Sequence, residues 1–213
     1  MTRRLALACR ALLLLLPLSV DAQAKPFSSE GLMGRMERAA RKRQETIARD
    51  TYDPIFRKYS KRYFGVGYDW RHFKAQGMAE SELNPSAKSR VGARGIMQLM
   101  PGTFNLIFDP RKIPRNIVDP EFNIAAGIMH DRYLWGRWKP DVAEDDQADF
   151  MFASYNAGEG PIIRARKAAV QKSLDAKRWN AIERVAPDIS AWRYRETLGY
   201  VKKIRENYGV LRR

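Results

Sequence analysis

The sequence predicts an all-α domain, and three observations carry that prediction. Apolar residues return at three- and four-residue spacing through most of the chain after Tyr52. Asp, Pro and Gly stand where helices open and close. Period-two alternation is nearly absent, and no Val/Ile/Thr-rich run is bounded as a hairpin. There is no internal repeat and no low-complexity tract.

The elements follow in order. Arg3 and Arg4 give a positive start, an apolar run extends from Ala11 through Val20, and Ala22-Gln23-Ala24 closes it with a small-x-small pattern. This is the layout of a secretory signal peptide over 1–24, too short to persist as a spanning anchor. Export to the periplasm, or beyond it, is the expectation, with no membrane anchor left after cleavage. Residues 25–50 read as a basic helical extension. Leu32, Met36, Ala40 and Ile47 lie roughly on one face, and Arg38, Arg41, Lys42 and Arg43 crowd the other. Such an arm is either a solvated surface helix or a contact for the wall or for wall-spanning machinery.

From 51 to 213 a single domain is expected. Asp69 suits the N-cap of a helix starting at Trp70, because its carboxylate can accept from an orphan backbone N–H. Pro101 fits the first turn of the next helix. Asp119-Pro120 opens another that runs through Ile124, Ile128 and Trp135. Gln147–Asn156 and Glu196–Tyr208 complete the helices with clear periodicity.

Composition then removes chemistries. The one cysteine, Cys9, lies within the signal segment, so disulfides, zinc–cysteine sites and thiolate nucleophiles are excluded after cleavage. His72 and His130 are too few for a multi-histidine metal centre, and no nucleophile elbow accompanies either. Both read as surface or boundary histidines. No metal or cofactor is expected. The formal charge is +15, and loss of Arg3, Arg4, Arg10 and Asp21 leaves about +13. That surplus favours an anionic partner. Export makes nucleic acid a poor candidate and cell-wall polymer, rich in peptide carboxylates, a better one.

The helix from Trp70 holds the most informative residue. Trp70, Phe73, Gly77 and Glu80 are spaced by three, four and three, which sets them on one apolar face. Glu80 stands where a leucine is expected. A buried carboxylate loses solvation, so its pKa rises, and a carboxyl still protonated near neutrality can donate to a leaving oxygen. Glu82, two positions on, points nearly the opposite way and reads as a surface residue. Asn84-Pro85 ends the helix, and Ser89-Arg90-Val91-Gly92-Ala93-Arg94-Gly95-Ile96-Met97-Gln98-Leu99-Met100-Pro101 follows. Gly92 and Gly95 permit close backbone approach. Met97 and Gln98 offer an adaptable apolar contact beside an amide that both donates and accepts. Such a loop beside the acid suits sugar hydroxyls and an acetamido group.

Glu80-Ser81, Asn84-Pro85, Ser89, Gly92-Ala93, Gly95-Ile96-Met97-Gln98 and Met100-Pro101 together resemble the signature of soluble lytic transglycosylases. Asn123-Ile124 with Ala126-Gly127, then Ser154-Tyr155-Asn156-Ala157-Gly158, and finally Glu196-Thr197 with Tyr200-Val201, resemble that family's later motifs, in order, over about residues 52–208. The resemblance implies a lysozyme-like helical domain related to goose-type lysozyme. It implies Glu80 as sole acid and base, and Ser89 against the acetamido group of the reacting sugar. Met97, Gln98, Tyr155 and Asn156 would line the glycan cleft, with Tyr200 approaching the acid from the last helix. It also implies non-hydrolytic cleavage of peptidoglycan glycan strands. Water in place of the sugar hydroxyl would make a hydrolytic muramidase, and loss of turnover would leave a wall-binding scaffold. Ser154 replaces a more usual alanine, Glu159 a more usual proline, and the stretch from Gly158 to Glu196 is longer than usual. That leaves the shape of one cleft wall open.

Overall fold

Helices are the only extended regular elements among the described residues, and each begins where local chemistry permits. The computed structural model describes residues 33–37, 50–109, 111 and 114–213. The expected signal segment 1–24 lies outside these residues, as does the extension apart from 33–37, which are helical, and Asp50. Contacts divide the chain into Met1–Arg43 and Gln44–Arg213; the second unit carries the fold described below. No helix among the described residues is long and apolar enough to cross a membrane.

Eight α-helices follow: α1 (Asp53–Phe64), α2 (Arg71–Ser81), α3 (Pro101–Ile107), α4 (Pro120–Trp138), α5 (Gln147–Ala157), α6 (Glu159–Gln171), α7 (Trp179–Val185) and α8 (Tyr194–Leu211). Single 3₁₀ turns at Glu144–Asp146 and Ala186–Asp188 precede α5 and follow α7. The start signals act as the sequence suggests except at the head of α2, where the cap falls on Trp70 and the helix opens at Arg71, one residue later than expected. The Asp69 carboxylate accepts from the Arg71 N–H at 3.0 Å, and the Asp119 carboxylate accepts from the N–H groups of Glu121 and Phe122. Pro101 and Pro120 occupy first-turn positions, where a missing N–H costs nothing. The long stretch after Gly158 folds into α6 and α7, and Glu159 is the first residue of α6.

α5 is the hub. It packs against α4, α6 and α8, and Phe150 to Ala153 are buried in succession, as expected of a helix with neighbours on nearly every side. α2 lies along α8, and α4 closes the other flank against α1 and α5. Phe73, Ile96, Met97, Ile124, Ile128 and Phe150 are fully buried in this core. Burying one such side chain contributes roughly 1.5–3 kcal/mol. Gly77 lets α2 approach its neighbours: a Cβ there would sit 3.0 Å from Leu83 and 3.2 Å from both Ile96 and Phe56. Lys74 is 2 % exposed and is held by Asp53 at 2.6 Å and Asp50 at 2.9 Å, so its charge is buried with partners.

Candidate active site

Glu80 lies in the last turn of α2, and its surroundings come from four elements. From α8, the Tyr200 hydroxyl donates to Glu80 Oε1 at 2.6 Å. Tyr200 itself is buried, which pushes its own pKa well up and keeps the phenol a donor. Glu80 is half-buried rather than dry, a correction to the sequence expectation: it stands near the helix end, where α8 covers one edge and leaves another open. Burial is nevertheless the dominant influence. It raises the carboxyl to about 7, against the opposing Tyr200 hydrogen bond and the more distant Lys203 charge. Near neutrality such a group is present in comparable amounts as acid and as base, so it can give a proton and take one back.

The loop after α2 is built around glycine and asparagine. Ser81 Oγ donates to the Ile96 carbonyl at 2.8 Å and accepts from the Asn84 N–H, which ties the end of α2 to the loop. Ser89 Oγ accepts from the Ala93 N–H at 2.9 Å, while the Ser89 N–H donates back to the Ala93 carbonyl. Isolated bridges join Arg94 to Lys88 and to Leu99. Asn123, at the start of α4, is the clamp. Its Oδ1 accepts from the Met97 N–H at 2.7 Å, and its Nδ2 donates to the carbonyls of Arg94 and Ile117. Gly95, at φ +77°, is required by that clamp, since a Cβ would lie 2.4 Å from Asn123 Nδ2.

The expected cleft residues divide. Met97 is fully buried, and its side chain presses so close to Gly127 of α4 that a Cβ there would be 2.8 Å away. It cannot line a glycan cleft. The hydrophobic effect has claimed the side chain for the core, and Met97 reaches the site only through its carbonyl, which accepts from the Tyr155 hydroxyl at 2.8 Å. Gln98 is half-buried at φ +44°, with its amide nitrogen donating to the Gly95 and Ala87 carbonyls. Tyr155 is part-buried beside His130, ring centroids 5.3 Å apart. Asn156 is exposed, and its Oδ1 accepts from the Thr197 hydroxyl, which accepts in turn from Trp192 Nε1. A groove of about 230 Å3 is lined by Asn156, Ala157, Pro161, Ala191, Trp192, Arg193, Glu196 and Thr197. Thr197 precedes Tyr200 by three residues, so the groove begins one helical turn from the partner of Glu80.

One residue near the acid escaped the sequence reading. Asp131 of α4 is 0 % exposed, accepts from Gln76 Nε2 at 3.3 Å, and lies near enough to Glu80 for a charge there to raise it. Glu80 is therefore not solitary, although Asp131 has no route to solvent. The signal was present: Ile124, Ile128, Asp131 and Trp135 are spaced by four, three and four, the pattern that singled out Glu80. No group of His, Cys, Asp or Glu suited to a metal ion occurs among the described residues.

A domain that is helical and without strands among its described residues, with a half-buried carboxyl raised to about 7 and held by a phenol near a groove, is of the lysozyme-like class. The chain belongs to the transglycosylase SLT domain family, whose model matches residues 54–178. It is similar to the membrane-bound lytic murein transglycosylase F of Marinobacter nauticus, 33 % identical over 171 residues, covering 75 % of this chain and 32 % of that protein. The counterpart in Shewanella loihica is 31 % identical, over 76 % of this chain and 35 % of its own length. The chain thus spans about a third of the length of these curated relatives. Among solved structures, the 70 kDa soluble lytic transglycosylase of Escherichia coli is similar at 29 % identity with a TM-score of 0.55, over 75 % of this chain and 24 % of that one.

Proposed function

We propose that this chain is a peptidoglycan lytic transglycosylase acting on glycan strands in the periplasm, with Glu80 as its only acid and base. The observation that carries the reading is the Glu80 carboxyl, raised to about 7 and held by Tyr200 at 2.6 Å. Most glycosidases use two carboxyl groups, one donating a proton and one attacking or activating water. The second carboxyl here, Asp131, is sealed from solvent, so the substrate must supply the nucleophile.

In the proposed reaction Glu80 protonates the oxygen leaving C1 of N-acetylmuramic acid as the β-1,4 bond to N-acetylglucosamine breaks. The acetamido carbonyl oxygen of the same sugar bonds to C1. The Glu80 carboxylate then removes the proton from the C6 hydroxyl, O6 bonds to C1, and the acetamido oxygen departs. A 1,6-anhydro end results, no water is consumed, and Glu80 regains its starting proton. Ser89 has its Oγ lone pair engaged by the Ala93 N–H, which leaves its hydroxyl hydrogen to meet the acetamido group. Gln98, Tyr155 and Asn156 shape the adjoining cleft, and Tyr200 positions the acid. The leader at 1–24 supplies export, and the excess of positive charge draws the domain to the anionic wall.

Mass spectrometry of muropeptides released from purified peptidoglycan tests the proposal. Products lighter by one water than their hydrolytic counterparts are expected. Full-mass reducing ends would make the protein a hydrolytic muramidase, and no release at all would make it a scaffold.

A further inference from the structure

Asp131 and Gln76 face each other inside the helix bundle, both fully buried, and their polar atoms do not balance as drawn. Gln76 Nε2 donates to Asp131 Oδ1 at 3.3 Å. The other oxygen of each residue, Gln76 Oε1 and Asp131 Oδ2, is buried without a hydrogen-bond partner among the described residues. Neither oxygen has a donor in contact, a costly combination in an interior since each has given up water, and the Tyr68 hydroxyl near Asp131 is likewise buried without a partner. A single hydrogen resolves both oxygens. If Oδ2 carries a proton it donates to Oε1, and carboxylic acid and amide close a two-point ring.

We propose that Asp131 is a neutral carboxylic acid at the pH where Glu80 works, its proton completing that ring, and that it acts as a positioning residue for Glu80. The ring locks α2 to α4 through Gln76, which precedes Glu80 by one helical turn. It does so without placing a second negative charge beside the acid. The surroundings agree. Glu80 faces Asp131 from α2, Tyr68 from the segment before α2, Tyr155 from α5 and Tyr200 from α8. The three phenols are held neutral by burial. No Lys or Arg forms an ion pair with Asp131 among the described residues, and complete burial pushes its carboxyl well up. An ionised Asp131 would raise Glu80 further and leave it too weak an acid for the first half of its cycle, the protonation of the leaving oxygen.

The positioning role rests on the proposed role of Glu80, while the proton on Asp131 does not, and the test separates them. Side-chain carboxyl 13C NMR of the intact protein, titrated across the neutral range, reads each acid directly without turnover. The expected result is an Asp131 resonance of the protonated type at pH 7 that stays in place while the Glu80 resonance moves. In D131N, which keeps an uncharged two-point pair with Gln76, the Glu80 midpoint should shift by less than about 0.3 pH units. An Asp131 resonance of the carboxylate type at pH 7 overturns the proposal. So does a downward shift of the Glu80 midpoint by about one unit or more in D131N, the signature of a removed negative neighbour. If D131N does not fold, the wild-type titration decides alone. A protein that gives the expected resonances yet releases no muropeptides refutes the glycan reading and leaves Asp131 neutral.

Discussion

Helix α8 supplies a partner for Asp149 and another for Glu80, and it treats these two carboxyl groups differently. Toward α5 it sends Arg205, whose guanidinium grips Asp149 through Nε at 2.8 Å and again through Nη2. Toward α2 it sends Tyr200, whose hydroxyl meets Glu80. Asp149 is the more deeply buried of the two, yet it has a permanent counter-charge at contact distance. Glu80 has only a neutral donor and, further off, Lys203. Burial raises the Asp149 carboxyl as well, but the guanidinium at contact opposes that rise and makes the pair an anchor between helices. The Glu80 carboxyl, desolvated and facing a phenol in place of a guanidinium, is stabilised just enough to be found in either state. One helix thus builds a structural joint and a poised acid five residues apart, by the choice of arginine or tyrosine.

Substitutions on each side should separate these roles. The largest effect belongs to E80Q, which keeps the shape and removes the exchangeable proton. Turnover should fall by about 10³-fold or more, in line with loss of a positioned general acid, with glycan binding retained. Muropeptide release and a pull-down on purified peptidoglycan read the two quantities separately. Next comes R205M, which strands Asp149 without its counter-charge and should cost about 3 kcal/mol in urea unfolding at pH 7. The folded fraction should turn over normally, because Arg205 faces away from Glu80; a matching loss of turnover would mean the two sites are one unit. Y200F is subtler. Removing its hydroxyl takes away a bond that favours the carboxylate, so the Glu80 pKa should climb above about 7. The alkaline limb of the pH–rate profile should move to higher pH, with a maximal rate about tenfold lower. A limb that stays in place would show that the 2.6 Å contact carries no weight in the acid's titration.

How much of this was legible in the sequence also differs between regions. Glu80 was readable because a charged residue interrupted an apolar helical face, and that pattern is local. Its partner Tyr200 lies 120 residues away, and no periodicity connects the two; only the resemblance brought them together. Asp131 shows the cost of asking the local question unevenly, since the spacing argument made for Glu80 applies equally to it on the face of Ile124, Ile128 and Trp135. Met97 failed for another reason. A methionine beside a glutamine in a Gly-rich loop reads as an adaptable surface contact, but the loop turns its side chain inward against Gly127, and tertiary packing outweighs local character. The Gly95–Asn123 pair explains why two motifs 28 residues apart must occur together, a constraint visible only once their 2.4 Å conflict with any side chain at 95 is known.

The smallest effect is the one that measures the difference between the two carboxyls as free energy. Glu80 is raised from 4.5 to about 7 on folding, so the folded protein holds that proton more tightly than the unfolded chain. Relative to an uncharged residue, its stabilising contribution is complete below about 4.5 and is lost as pH rises through about 7. A shift of that size corresponds to about 3 kcal/mol at most, and the open edge of Glu80 reduces it to about 1 kcal/mol through solvent screening. E80Q should therefore melt close to wild type at pH 5 and several degrees above it at pH 8, by calorimetry on the same preparation. R205M should melt below wild type at both. A gap between E80Q and wild type that does not widen with pH would mean folding places no strain on the charge at Glu80, and the distinction between anchor and poised acid would lose its physical basis.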